Sequence, residues 1–143
     1  MNNRQFTVGR YYVEIEQQDP YNNDWYSIQV SAPEGSFLTS GYVNRADNAA
    51  DTFILDYVKI NSDDNRINDG LEILLEVSES VSSRRGAQRF VIAYDRDNAN
   101  YISAVAANNN YKETTSGNYA TNHLRELYGA SLGSLVPEDK SWE

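Results

Sequence analysis

Residues 44–60 read Asn-Arg-Ala-Asp-Asn-Ala-Ala-Asp-Thr-Phe-Ile-Leu-Asp-Tyr-Val-Lys-Ile, and whether this stretch is helix or strand decides the fold. Ala46, Ala49, Ala50, Phe53, Ile54, Tyr57 and Val58 fall at the i, i+3, i+4, i+7 spacing of one helical face, with Asp47, Asp51 and Asp56 away from it. Asn44 suits the N-cap, Asp47 and Asp51 suit the positive end of the helix dipole, and Lys59 suits the negative end. The β-branched content of Phe53 to Ile60 favours a strand instead. Period outweighs local propensity, so the stretch is expected to be a helix.

Upstream, the pattern is that of strands. Phe6 and Val8 share even positions, whereas Tyr11, Val13 and Ile15 share odd ones, and Gly9 stands at the switch, where a β-bulge would keep both sets inward. Turn signals at Asp19-Pro20 and Pro33-Glu34-Gly35 bracket a second run, Tyr26, Ile28 and Val30, and Phe37 to Val43 follows, giving a three-stranded meander. In this register Tyr12 and Trp25 face outward beside Glu14 and Glu16.

Downstream, Leu71, Ile73, Leu75 and Val77 alternate with Glu72, Leu74, Glu76 and Ser78, which reads as a strand. A turn through Ser82 to Gly86 then leads to Phe90, Ile92 and Tyr94 as the return strand of a hairpin. Tyr101 to Ala107 reads as a third strand, with a short helix starting after Asp97 as the alternative. Ala120, Leu124, Leu127 and Tyr128 space as a helix stopped at Gly129, and Leu132, Leu135, Val136 and Trp142 would dock the tail.

The expectation is therefore an α+β fold: a single β-rich domain, residues 1–143, of two β-β-β-α halves (1–61 and 70–143), with antiparallel sheets packed against two helices. The sheet-then-helix order is similar in architecture to single-stranded nucleic-acid-binding proteins of the PUR and Whirly type; no motif of that family is present. The chain should be soluble, since no apolar run approaches the length of a membrane span and Met1 to Gln5 lacks the apolar stretch of a secretory signal, leaving the cytoplasm or a virion as its place.

Chemistry is scarce. Among 143 residues there is one histidine, His123, and no cysteine, which removes disulfides and thiolate metal sites. No G-x-S-x-G elbow, G-x-x-x-x-G-K loop or G-x-G-x-x-G loop occurs. Asn65 to Gly70 with Glu76 imitates a calcium loop, but Ile67 takes a ligand position and Asn65 replaces the leading aspartate. No metal, cofactor or catalytic residue is assigned, and the expectation is that the chain is not an enzyme.

Charge is the positive signal. The formal net charge is −9; residues 11–79 hold fourteen acids against three bases, and residues 82–112 hold five bases against two acids. Acidity argues against nucleic acid as a partner. The reading that follows is a non-catalytic interaction or assembly protein of viral structural or accessory type. Its acidic, tyrosine-rich surface would meet a protein partner, or the region of Arg84, Arg85, Arg89 and Arg96 on another copy. One alternative is an acidic inhibitor that mimics nucleic acid through Glu14, Glu16, Asp63, Asp64, Asp69, Glu72 and Glu76. The other is single-stranded nucleic-acid binding through exposed rings and the Arg84 to Arg89 turn.

Overall fold

The computed structural model describes residues 3–19 and 21–125, with the side chains of 22 and 23 left aside. Five strands come first: β1 (Asn3–Val8), β2 (Tyr11–Asp19), β3 (Asn22–Ser31), β4 (Phe37–Ala46) and β5 (Ala49–Ile60). Helix α1 (Ile67–Arg84) follows, then β6 (Arg89–Ile92), a 3-10 turn (Arg96–Asn98), α2 (Ala99–Asn108), β7 (Lys112–Glu113) and β8 (Tyr119–Thr121). All strands join one sheet in the order β1-β2-β3-β4-β5-β6-β8-β7. The β5–β6 pair is parallel and the others are antiparallel. The α+β class stands, but the β-β-β-α halves and purely antiparallel sheets give way to one mixed sheet with a single β-α-β crossover among the described residues.

The meander of β2, β3 and β4 is as the alternation predicts. Gly9 is different: with φ at +59° it forms, with Arg10, the turn of a hairpin, so Val8 pairs with Tyr11 and Phe6 with Val13. The switch in phase comes from reversal of the chain, not from a bulge within one strand.

The two decisive stretches exchange roles. Residues 46–58 are not a helix; Asp47 and Asn48 turn the chain between β4 and β5. Phe53 and Leu55 point into the core on odd positions, and Val58 and Ile60 follow on even ones, because a register irregularity lies between the pairs Ser40–Lys59 and Tyr42–Asp56. Tyr57 takes a positive φ of 52° there. A bulge that shifts a strand by one residue imitates the i, i+3, i+4 spacing of a helix. Opposite it, Gly41 lets Leu55 pack close: a Cβ on it would come within 2.6 Å of Leu55 Cδ1, so that side chain would have to shift.

Residues 71–78 are not a strand but the middle of α1. Leu71, Leu74, Leu75, Ser78, Val81 and Ser82 are all buried at helical spacing, and the serines conceal that period from hydropathy. The hairpin with Phe90 to Tyr94 is likewise replaced by a crossover, since β6 pairs with β5 in the register Phe53–Phe90 and Leu55–Ile92. Residues 99–108 are helical, the alternative reading. Ala120 lies in β8 and residues 122–125 are irregular, so the last helix does not start there; Leu127 to Gly129 and the tail fall outside the described residues.

Helix α1 covers β3, β4 and β5 on one face of the sheet, with α2 beside it. Between them lies Glu79, 1% exposed. Its carboxylate accepts the Tyr111 hydroxyl (2.6 Å), the Arg125 backbone N–H (2.9 Å), and Arg125 Nε (2.9 Å) and Nη2 (2.8 Å). Burial and this carboxylate push the Tyr111 hydroxyl well above the ordinary phenol range. Three of the four bonds fasten Arg125 to the helix layer, and the fourth holds Tyr111 there.

Candidate functional site

Alternation on β3, β4 and β5 sends Trp25, Tyr42, Asn44 and Asp56 to the face opposite α1. There they line a recess of about 380 Å³ with Gln18 and Tyr57. It continues along Trp25, Asn44 and Asp56 into a second hollow of about 600 Å³ reaching Asp24 and Asp47. Tyr42 and Tyr57 meet edge to face, their centroids 6.2 Å apart and planes at 87°. Tyr57 is 73% exposed and Trp25 38%. The bulge that turns Tyr57 outward makes this wall.

Asp56 sits at the bottom of the wall. Its Oδ1 is buried and has no hydrogen-bond partner among the described residues. Desolvation pushes its carboxyl above the usual range. A carboxylate left unsatisfied in a cleft is poised to take a proton or to meet a cation brought by a ligand. Asp24, at the end of the second hollow, is the opposite case. Burial works against its ionisation, but hydrogen bonds from Arg45 (2.9 Å) and Arg85 (3.2 Å) outweigh it and hold the carboxyl below the usual range.

The residues singled out from the sequence scatter over the molecule. Tyr12, Glu14 and Glu16 are on the open face, on β2, and Trp25 shares that face at the far end of the hairpin. Glu14 accepts the Gln5 amide at 2.7 Å and Tyr12 is 52% exposed. Asp63, Asp64 and Asp69 surround the start of α1 at one sheet end, where Tyr11 donates to Asp69 at 2.9 Å. Glu72 and Glu76 belong to the helix layer, facing Asn109 (3.0 Å) and Arg125 (3.2 Å). The acids therefore do not form one continuous face, and the reason for nucleic-acid mimicry is lost. Arg84 and Arg85 close α1 and Arg89 opens β6, whereas Arg96 lies beyond the other end of β6, so these arginines are not one patch. Asp56, Tyr42, Asn44 and Tyr57 were missed because the helical reading put Asp56 on a solvated stripe. The signal was the run Phe53, Leu55, Val58, Ile60, which is two strand phases joined by one extra residue.

No group of three or more His, Cys, Asp or Glu among the described residues is arranged to hold a metal ion. None of the described helices is long and apolar enough to cross a membrane.

No protein family matches the sequence, and no curated protein is similar to it. Solved structures do share the fold, which is GNAT-like. A cAMP-binding acyltransferase from Mycobacterium smegmatis superposes with a TM-score of 0.63 at 10% identity, over 96% of this chain and 53% of that one. This chain thus spans about half its length. A GNAT-family acetyltransferase from Staphylococcus aureus gives 0.55 at 13% identity, over 68% and 67% of the two chains. A structure described as an acyl-CoA N-acyltransferase from Klebsiella pneumoniae gives 0.54 at 14%, over 68% and 70%.

This likeness corrects three expectations: that the chain is not an enzyme, that it is a viral structural or accessory protein, and that it is built to self-associate or to mimic or bind nucleic acid. The three structures named above are described as acyltransferases or acetyltransferases. The physical reason for the error lies in the search for a nucleophile. When two substrates react with each other, the acceptor supplies the attacking atom, and lack of cysteine or a histidine dyad excludes nothing.

Proposed function

We propose that the cleft around Asp56 carries acyl transfer to an amine. The observation that supports it most is the unsatisfied, desolvated Asp56 carboxylate beside two exposed rings, Trp25 and Tyr57, and the half-buried Tyr42, in a sheet of GNAT-like topology. An ammonium entering the cleft gains attraction from the faces of Trp25, Tyr42 and Tyr57. It gives a proton to Asp56, and the neutral amine is left facing the open side of β5.

The acyl group has a route to the same place. Pairing between β5 and β6 ends at Leu55–Ile92, followed by the bond from the Ala93 N–H to the Leu55 carbonyl (2.9 Å). Beyond it β5 has no strand neighbour on that side among the described residues, and the Asn98 side chain donates to the Val58 carbonyl at 2.6 Å. An acyl carbonyl in this gap lies beside Asp56. The amine nitrogen attacks the carbonyl carbon, the new C–N bond forms as the bond to the leaving thiolate breaks, the proton the nitrogen sheds on becoming an amide passes to that thiolate, and the one held by Asp56 returns to solvent.

The test is acylation of a simple alkylamine, followed by mass spectrometry with acetyl-CoA and with S-acetyl-N-acetylcysteamine as donors. Asp56→Asn is expected to lower the rate by about 10²–10⁴. Absence of amide product with either donor, or a variant as fast as the parent, rules the reading out.

A further inference from the structure

A donor esterified to coenzyme A, the class named for the Klebsiella structure, carries a diphosphate and a further phosphate. In a β-α-β crossover, phosphate groups gather beyond the carboxyl ends of the parallel strands, where the helix N-terminus offers free N–H groups and the positive end of its dipole. In this chain that place is residues 61–70, between β5 and α1. The residues there do not fit a phosphate.

No side chain caps the first N–H groups of α1, but the approach to them is lined by the protein's own anions. Asp64 Oδ1 accepts the Arg66 backbone N–H at 2.9 Å. The Arg66 guanidinium, the cation nearest the helix start, is locked from two sides: Glu34 accepts Nη1 and Nη2 at 2.7 and 2.6 Å, and Asp64 accepts Nε and Nη2 at 2.9 and 2.8 Å. Hydrogen bonding to Arg66 holds the Glu34 and Asp64 carboxyls down to about 2, so both are charged at any working pH. Asp63 adds another charge, and Asp69 in the first turn accepts from Tyr11. Four carboxylates thus stand about the helix start against two arginines: Arg66, which Glu34 and Asp64 already engage, and Arg10, within electrostatic reach of Tyr11. The helix cannot draw back to make room, because Gly70 rests on Leu38, where even a Cβ would stand 3.1 Å from Leu38 Cβ. A diphosphate would meet repulsion where the topology would place it.

We infer that this chain takes an acyl donor without phosphates, a thioester recognised by its acyl and thiol arms alone. The inference rests on the acyl-transfer reading above. The reaction balances without any phosphate group: a thioester and a primary amine give an amide and a free thiol.

Initial rates with a fixed alkylamine are compared for acetyl-CoA and S-acetyl-N-acetylcysteamine, and adenosine 3′,5′-bisphosphate and coenzyme A are titrated into the full chain by calorimetry. The expected result is kcat/KM values for the two donors within about tenfold, and no binding heat from either phosphate compound at about 1 mM. A preference for acetyl-CoA beyond tenfold, or saturable phosphate binding, overturns the inference. Glu34→Gln combined with Asp64→Asn frees Arg66 and should move the donor ratio toward acetyl-CoA; an unchanged ratio removes these carboxylates as the cause. If neither thioester acylates the amine, the acyl-transfer reading fails, while the calorimetry still decides whether phosphates are excluded.

Discussion

Two carboxylates, Glu79 and Asp56, have been treated in opposite ways. Glu79 is almost fully buried, yet four donors saturate it. Asp56 is only partly buried, yet one oxygen has none among the described residues. A buried charge with complete partners ties elements together, whereas one left short stores a cost that only a ligand or a proton can relieve. The difference separates the side of the sheet that holds the molecule together from the side that is available for chemistry.

The largest effect should come from breaking the satisfied group. Glu79→Ala leaves the Tyr111 hydroxyl without its acceptor and the Arg125 guanidinium with only Glu76 and Asn109, and chemical denaturation should show a loss of about 3–5 kcal/mol. A loss below about 1 kcal/mol would mean that Glu79 is no more important than a surface charge.

Asp56→Asn should act in the other direction. The native state raises this carboxyl above the ordinary 3.8 by desolvation, so it binds the proton more tightly than the unfolded chain does. Its contribution is therefore most favourable below the unfolded value and is lost as pH rises through the native one. The variant should gain about 1 kcal/mol over the parent at neutral pH, and the gap should close in acid. A less stable variant at pH 7 would make Asp56 a structural residue.

Between these groups stands Gly41. Gly41→Ala drives a methyl into Leu55, next to Asp56, at a cost of about 1–2 kcal/mol by thermal melting. The same substitution should also disturb the proposed acyl transfer, because Leu55, which must give way, is the chain neighbour of Asp56. Unaltered kinetics would separate the bulge from the site.

The smallest effect belongs to the exposed Arg66 cluster. Glu34 and Asp64 titrate at about 2, and what they contribute to stability is present above their ordinary values of 4.5 and 3.8 and is lost as pH falls toward 2. Replacing Arg66 by Gln should return both carboxyls toward those ordinary values in an NMR titration. Titration curves that do not move would leave the ion pairs without effect in solution.

The sequence showed the parts of this molecule whose two faces differ. The β2–β4 meander alternates clearly because one face lies on the core and the other is open. Helix α1 is buried on more than one side, so Ile73, Leu75 and Val77 join Leu71 and Leu74 in an apolar run that carries no single period. Strand β5 misleads through one extra residue at Tyr57. The candidate site was readable only in Trp25, because Asp56 acquires its character from neighbours on β4 and from the bulge, not from its place in the chain. Its meaning depended on correcting two segments at once, since strand 71–78 and helix 46–58 support each other as errors.

The single crossover also imposes an order of assembly. Strands β1 to β5 are joined through neighbouring hairpins and can zip up as they leave the ribosome, but they then present a bare greasy sheet with nothing yet synthesised to cover it. Relief arrives only with α1, and β6 cannot find its slot until that helix has swung across. A nascent chain paused near residue 60 would be this protein at its most vulnerable to clumping.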